Sequence, residues 1–222
     1  MGTLYLVRHG QASFGADDYD QLSELGWRQS RRLGEYFRHQ GRHFDAIFSG
    51  TLKRHDQTLA GIQEGMGTTQ LAERLPGLNE YDSAALIEAV HPEPLQRPDT
   101  PELYRHHFRL LRNALHQWMS GATVPRNMPS YAGFRRGVVD ALERVCQMPD
   151  AQVLLVSSGG PISTAVGHVL STPPETTIEL NFHIRNSAVT EFKVTPKGHR
   201  LISYNNLNHL DGPEYQDWVT FA

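Results

Sequence analysis

Arg8-His9-Gly10 closes the short apolar run Leu4-Tyr5-Leu6-Val7. Histidine serves as a nucleophile as well as a base. The arginine beside it carries a planar fork of N–H donors that matches phosphate geometry. Gly10 lets the backbone turn sharply and come close to a ligand. Taken alone, the tripeptide reads equally well as a strand that ends in two polar residues. Three later segments repeat the pattern of reactive residues behind a short apolar run or a turn. Gly50-Thr51-Leu52-Lys53-Arg54-His55-Asp56-Gln57-Thr58 follows the run at 44–49. Pro76-Gly77-Leu78-Asn79-Glu80-Tyr81 places a carboxylate after a turn signal, and Val153-Leu154-Leu155-Val156 opens into Ser157-Ser158-Gly159-Gly160-Pro161-Ile162.

Such segments need strands to position them. In open α/β sheets ligands sit just beyond the carboxyl ends of the strands. The apolar runs predict strands at 4–7, 44–49, 71–75, 153–156, 189–194 and 201–204. Helices are expected over 24–40, 52–64, 102–119, 131–147 and 161–170. Ser23 is the N-cap of the first, whose Leu25, Leu33, Tyr36 and Phe37 form an apolar stripe. Residues 11–21 and the tail read as loop. The alternation predicts an α/β fold with a mostly parallel central sheet and helices on both faces. From 83 to 129 the pattern changes. A short helix, a proline-rich linker (Pro92, Pro94, Pro98, Pro101) and the long helix suggest a helical insertion over the carboxyl edge of the sheet. No repeat or low-complexity tract interrupts residues 1–222, which are expected to form a single domain.

Composition narrows the partners. The chain has 222 residues, of which 39% are hydrophobic and 20% charged, the balance of a folded domain that can bury a core. A formal net charge of -3 offers no global field for nucleic acid or an anionic membrane, so local basic groups must bind any phosphate. The single cysteine, Cys146, excludes an internal disulfide framework and suits a reducing compartment. There is no membrane-length apolar run and no signal peptide, and a cytoplasmic enzyme is the expectation. His-Glu-x-x-His, Cys-x-x-Cys, a calcium loop and a P-loop lysine are all missing, so neither a metal nor another cofactor is implied.

Taken in order and spacing, these segments resemble the histidine phosphatase superfamily, the phosphoglycerate mutase-like enzymes, over nearly the whole chain. The resemblance implies that His9 becomes phosphorylated, that Arg8 and Arg54 bind the phosphate, and that Glu80 donates the proton, with Asp82 a nearby competitor. Such a set fits phosphoryl transfer, which needs an in-line nucleophile, cations around the equatorial oxygens and a proton for the leaving alcohol. Arg54 and Glu80 also have a structural reading, as an ion pair with each other or as solvent-facing residues. The chain departs from the family pattern at Ser158, where a second histidine usually precedes the late glycine. A serine donates one hydrogen bond but brings no charge. The N–H groups of Gly159 and Gly160 at a helix start would add an anion site. Of the 12 histidines, His209 is the first candidate to compensate for Ser158, followed by His183 and His55. His39, His43, His106, His107 and His199 are expected to have no catalytic part. Replacing Ser158 with histidine should then raise turnover.

Gln11 and Ser13 have two readings, as contacts to the phosphate or as residues of a solvated loop. The segment Gln11-Ala12-Ser13-Phe14-Gly15 lacks the Trp-Asn that mutases of the family carry there. The expectation is a metal-independent phosphatase of small phosphorylated metabolites, working as a monomer or homodimer. A phospho-ligand-binding protein with little turnover is the alternative, and a mutase the third reading.

Overall fold

The computed structural model describes residues 2–13, 20–95 and 99–221. Positions 14–19 of the expected loop and Pro98 of the linker lie outside the described residues. Strands β1 (Thr3–Arg8), β2 (Ala46–Ser49), β3 (Glu73–Arg74), β4 (Gln152–Ser157), β5 (Val189–Thr195) and β6 (Gly198–Asn206) form one sheet in the order β3-β2-β4-β1-β5-β6. The β3-β2, β2-β4 and β4-β1 pairs are parallel, and β5 and β6 add antiparallel to the β1 edge.

Alternation along the central strands builds two cores, because successive side chains of a strand point to opposite faces. Leu4 and Leu6 of β1, with Val153 and Leu155 of β4, join one core. Tyr5, Val7, Leu154 and Val156 join the other. Helices α1 (Glu24–His39) and α2 (Lys53–Met66) cover the second face. The first face is covered by α4 (Pro101–Met119), α5 (Tyr131–Cys146), α6 (Gly159–Leu170) and α7 (Pro174–His183), joined by the short α3 (Ser83–Val90). Ser23 caps α1 by accepting from Gly26 N–H, as its sequence position indicates. Leu33 and Phe37 of the expected stripe are buried, whereas Leu25 and Tyr36 are half-buried. A Cβ on Gly34 would run into the Ile62 carbonyl of α2, so this glycine sets how closely the two helices pack.

Helix α7 departs from the expected pattern. Thr172-Pro173 precedes it, and Pro174 with β-branched Thr176 and Thr177 opens it, a local pattern poor in helix formers; Pro174 sits in the first turn, where proline costs no hydrogen bond. The tail carries two 3-10 turns, Asn208–Leu210 and Pro213–Trp218. Helix α4 packs against α3, α5 and α7. Its Trp118 is buried, and Trp118 meets the ring of Tyr81, the residue after Glu80, at 5.9 Å. The 83–129 segment therefore abuts the loop that carries Glu80. Among the described residues no helix is long and apolar enough to cross a membrane.

Candidate active site

The carboxyl ends of β1, β2 and β4 lie side by side, and the reactive segments begin there. Arg8 is the register partner of Ser157, and His9 N–H donates to the Ser157 carbonyl at 2.9 Å. His9 follows directly on β1, and Ser158 on β4. Arg54 and His55 open α2, four and five residues beyond Gly50. Arg8, His9 and Arg54 are 4%, 5% and 8% exposed, and Ser158 and His55 are fully buried. The sheet edge thus gathers two guanidinium groups and two imidazoles out of water.

His9 is held in one tautomer. Its Nδ1 lies 2.7 Å from the Gly10 carbonyl, which only accepts, so Nδ1 carries the proton and Nε2 keeps a lone pair. Its own carbonyl accepts from Ser187 N–H at 3.2 Å and from Asn186 Nδ2 at 3.3 Å. Gly10 N–H donates to Thr58 Oγ1 at 3.0 Å, which ties the turn after His9 to α2. Burial holds the His9 imidazole neutral, with its pKa well below the usual histidine value, and the charges of Arg8 and Arg54 add to the effect. A neutral imidazole with a free Nε2 is a nucleophile.

Glu80 faces the start of α6, and Gly160 N–H donates to its two carboxylate oxygens at 3.1 and 3.2 Å. A Cβ on Gly160 would collide with Glu80 Oε1 and the Tyr81 ring, so the glycine is what admits the carboxylate. Burial raises the Glu80 pKa, against the Gly160 bond and the attraction of Arg54 and Arg8. The group thereby keeps its proton to higher pH than an exposed glutamate. Upstream, Ser157 Oγ donates to the Leu78 carbonyl at 2.7 Å, and Gly77 packs backbone to backbone on Gly137 of α5. Both contacts fix the path of the chain into Glu80.

The phosphate candidates separate into two groups. Arg8 donates to the Ile184 carbonyl, and its Nε lies near Gly159, where a built Cβ would be 3.8 Å away. Among the described residues Arg54 forms its ion pair with Asp20, at 2.7 Å, rather than with Glu80. Asp20 also accepts from Lys53 N–H at 2.9 Å and so caps the start of α2. Gln11 Oε1 accepts from Ser23 Oγ at 2.7 Å, and its backbone N–H donates to Gln29 Oε1 at 2.8 Å. Ser13 is tied by its N–H to the Gln21 carbonyl at 2.8 Å. Asp82, the rival acid, caps α3 by accepting from Ala84 and Ala85 N–H. Among the described residues no three His, Cys, Asp or Glu side chains are grouped to hold a metal.

The histidines rearrange the expected ranking. His209 Nε2 lies 2.9 Å from Ser187 Oγ, so it belongs to the layer behind the His9 carbonyl and is not seated on Ser158. His183 ends α7 on the surface, with Nδ1 bonded to the Glu179 carbonyl. The imidazole on Ser158 is that of His55, whose Nε2 is 2.7 Å from Ser158 Oγ and whose ring centre is 5.9 Å from that of His9. The first turn of α2 starts at the same sheet edge as Ser158, whereas the turn carrying His209 packs beneath it. Gly50 is the sequence signal for this placement, because a Cβ there would strike the His55 ring.

Comparison with known proteins agrees with this architecture. The model of the histidine phosphatase superfamily (branch 1) matches residues 4–207. A 2,3-bisphosphoglycerate-dependent phosphoglycerate mutase of Methylorubrum populi is 37% identical over 86 residues, covering 36% of this chain and 41% of the relative. A broad-specificity phosphatase of Saccharomyces cerevisiae is 34% identical over 91 residues, 35% and 40% of the two chains. These alignments thus span about two fifths of the curated relatives' length. Among solved structures, phosphoserine phosphatase of Entamoeba histolytica, in complex with phosphoserine, superposes with a TM-score of 0.68 at 21% identity, covering 95% of this chain and all of the other. A mycobacterial glucosyl-3-phosphoglycerate phosphatase superposes at 0.64 with 20% identity over 91% and 98%. At these identities the superpositions speak for the fold.

Proposed function

The chain belongs to the histidine phosphatase superfamily, and on that premise we propose that it hydrolyses small phosphomonoesters through a phosphohistidine at His9. The observation that carries the reading is the locked tautomer of His9, with Nδ1 on the Gly10 carbonyl and a buried, uncharged Nε2. Simple phosphate binding needs no such nucleophile. Arg8 and Arg54 hold the phosphoryl oxygens, joined by Ser158 Oγ and the Gly159 N–H, the Gly160 N–H being taken by Glu80. Charge-assisted bonds of this kind are worth about 1.5–3 kcal/mol each.

His9 Nε2 attacks phosphorus in line with the ester oxygen. The N–P bond forms as the P–O bond breaks, and Glu80 gives its proton to the departing alkoxide. Water then attacks the phosphohistidine while the Glu80 carboxylate takes a water proton. Phosphate leaves and the lone pair returns to Nε2. Every charge in the cycle is met by Arg8, Arg54 or Glu80, so the reaction requires no metal. Gln11 braces the turn through Ser23 and Gln29.

The test is steady-state hydrolysis of an aryl phosphate without added metal, for wild type and His9→Ala. Wild-type turnover that disappears in the variant supports the reading, and equal turnover in both rejects it. Phosphate binding without turnover across a panel of small phosphates would instead support a binding protein. Interconversion of 3- and 2-phosphoglycerate under 2,3-bisphosphoglycerate priming would support a mutase.

A further inference from the structure

His55 is a buried histidine that the phosphoryl-transfer scheme leaves without a task. Its setting is costly for a packing residue. The ring is fully buried, its Nε2 faces Ser158 Oγ, and its Nδ1 has no hydrogen-bond partner among the described residues. An apolar side chain in the first turn of α2 would avoid that orphaned nitrogen. Gly50 keeps the space for the ring open; on the same stretch of α2, Arg54 is a phosphate candidate paired with Asp20 and Thr58 Oγ1 accepts from the Gly10 N–H. The imidazole is thus built into the wall of the site, 5.9 Å from the His9 ring.

The direction of the Ser158 bond follows from the orphan. If Ser158 donated to Nε2, the ring proton would sit on Nδ1 as a buried donor with no acceptor, which is the rarer and costlier kind of orphan. With the proton on Nε2, the imidazole donates to Ser158 Oγ, and Nδ1 is left as a bare lone pair. The hydroxyl proton of Ser158 is then free to point at a ligand.

We propose that His55 is a positioning residue: it donates Nε2–H to Ser158 Oγ and so commits the serine's own proton to a phosphoryl oxygen held by Arg8 and Arg54. The proposal rests on the phosphohydrolase reading for its consequence in turnover, and on the His55–Ser158 contact for its geometry. The two residues act as one donor.

The experiment compares wild type, His55→Ala, Ser158→Ala, the double variant and His55→Gln. Each is measured for aryl phosphate hydrolysis, orthovanadate binding and melting temperature. His55→Ala and Ser158→Ala are expected to lower kcat about 10–100-fold each, as outer-layer partners of a site do, with KM little changed. The double variant should be no slower than the slower single one, because a shared donor is lost only once. His55→Gln, which retains an N–H near the Nε2 position, should recover part of kcat while melting no higher than His55→Ala. Wild-type kcat in His55→Ala, or losses that multiply in the double variant, would overturn the proposal. If wild type binds orthovanadate yet hydrolyses nothing, the hydrolase reading falls and vanadate affinity replaces kcat as the readout. Equal affinity in wild type and His55→Ala then overturns the positioning role, and affinity lost in the same non-additive pattern supports it. A wild type that neither hydrolyses nor binds rejects both.

Discussion

At the scale of single residues, the proposed reaction divides labour between an imidazole held neutral at His9 and a carboxyl whose pKa is raised at Glu80. His9 is depressed and Glu80 raised, both chiefly by burial. The free enzyme should therefore show no loss of kcat/KM at the usual histidine value on the acid side, beyond that due to the substrate's own ionisation. On the alkaline side activity should fall through the raised Glu80 value, and Glu80→Gln should erase that limb for an alkyl phosphate. A pH–rate profile of the two proteins checks this. With an aryl phosphate, whose leaving group needs little protonation, Glu80→Gln should still form phosphoenzyme but release it slowly, giving a burst in rapid quench. Ser158 carries a third prediction. It is fully buried against His55, so Ser158→His alone crowds two imidazoles and should lower stability by about 1–3 kcal/mol, a cost the sequence-based expectation of higher turnover does not include. His55→Ala/Ser158→His makes room for one ring, and denaturant unfolding should show stability regained. The reactive types and their order were legible in the sequence, but the pairing of His55 with Ser158 was not. Positions 55 and 158 meet only because β2 and β4 are neighbours.

Elements explain why these side chains arrive with the right aim. Strands β1, β2 and β4 end at one edge, and α2 and α6 start there, so their first turns face the same space. Hydrophobic runs and turn residues announced those strands, and most helix limits fell within a few residues of the expected ones. Helix α7 escaped because its prolines and threonines oppose helix on local propensity, and packing on α6 and α4 outweighs them. The Glu80 loop depends on backbone contact between Gly77 and Gly137, where a Cβ on Gly137 would stand 2.9 Å from Gly77 Cα. Gly137→Ala is accordingly expected to shift the Glu80 loop. Turnover should drop while His9 phosphorylation by an aryl phosphate is largely spared. Equal loss of both would show that the contact supports the fold alone.

For the whole molecule, burying neutral histidines has a cost in acid. His55 and His209 are pushed down to about 3, and His9 also lies well below its usual value. The unfolded chain binds a proton at each site near pH 6.5, and the folded chain does not until far lower. Between those values the unfolded state holds more protons, so stability rises with pH there and is lost as pH falls. Each such histidine removes about 1.4 kcal/mol per pH unit through the window. Unfolding free energies measured at pH 7, 6 and 5 should decline, and His209→Asn should flatten the slope by about one proton. An unchanged slope would contradict the burial of a neutral His209. A mostly parallel sheet with helices on both faces was legible from the alternation of apolar runs, but the antiparallel pairing of β5 and β6 was not. The protonation economy of its interior was not, because burial is a property of the packed chain.

The most direct measurement is the intact mass of the protein after millisecond mixing with an aryl phosphate and mild alkaline quench, followed by acid treatment and peptide mapping. One added phosphoryl group, lost in acid, is expected on the peptide containing His9 and absent from His9→Ala. Turnover with no phosphoryl group on that peptide under any quench time, or an acid-stable group on another residue, would contradict it.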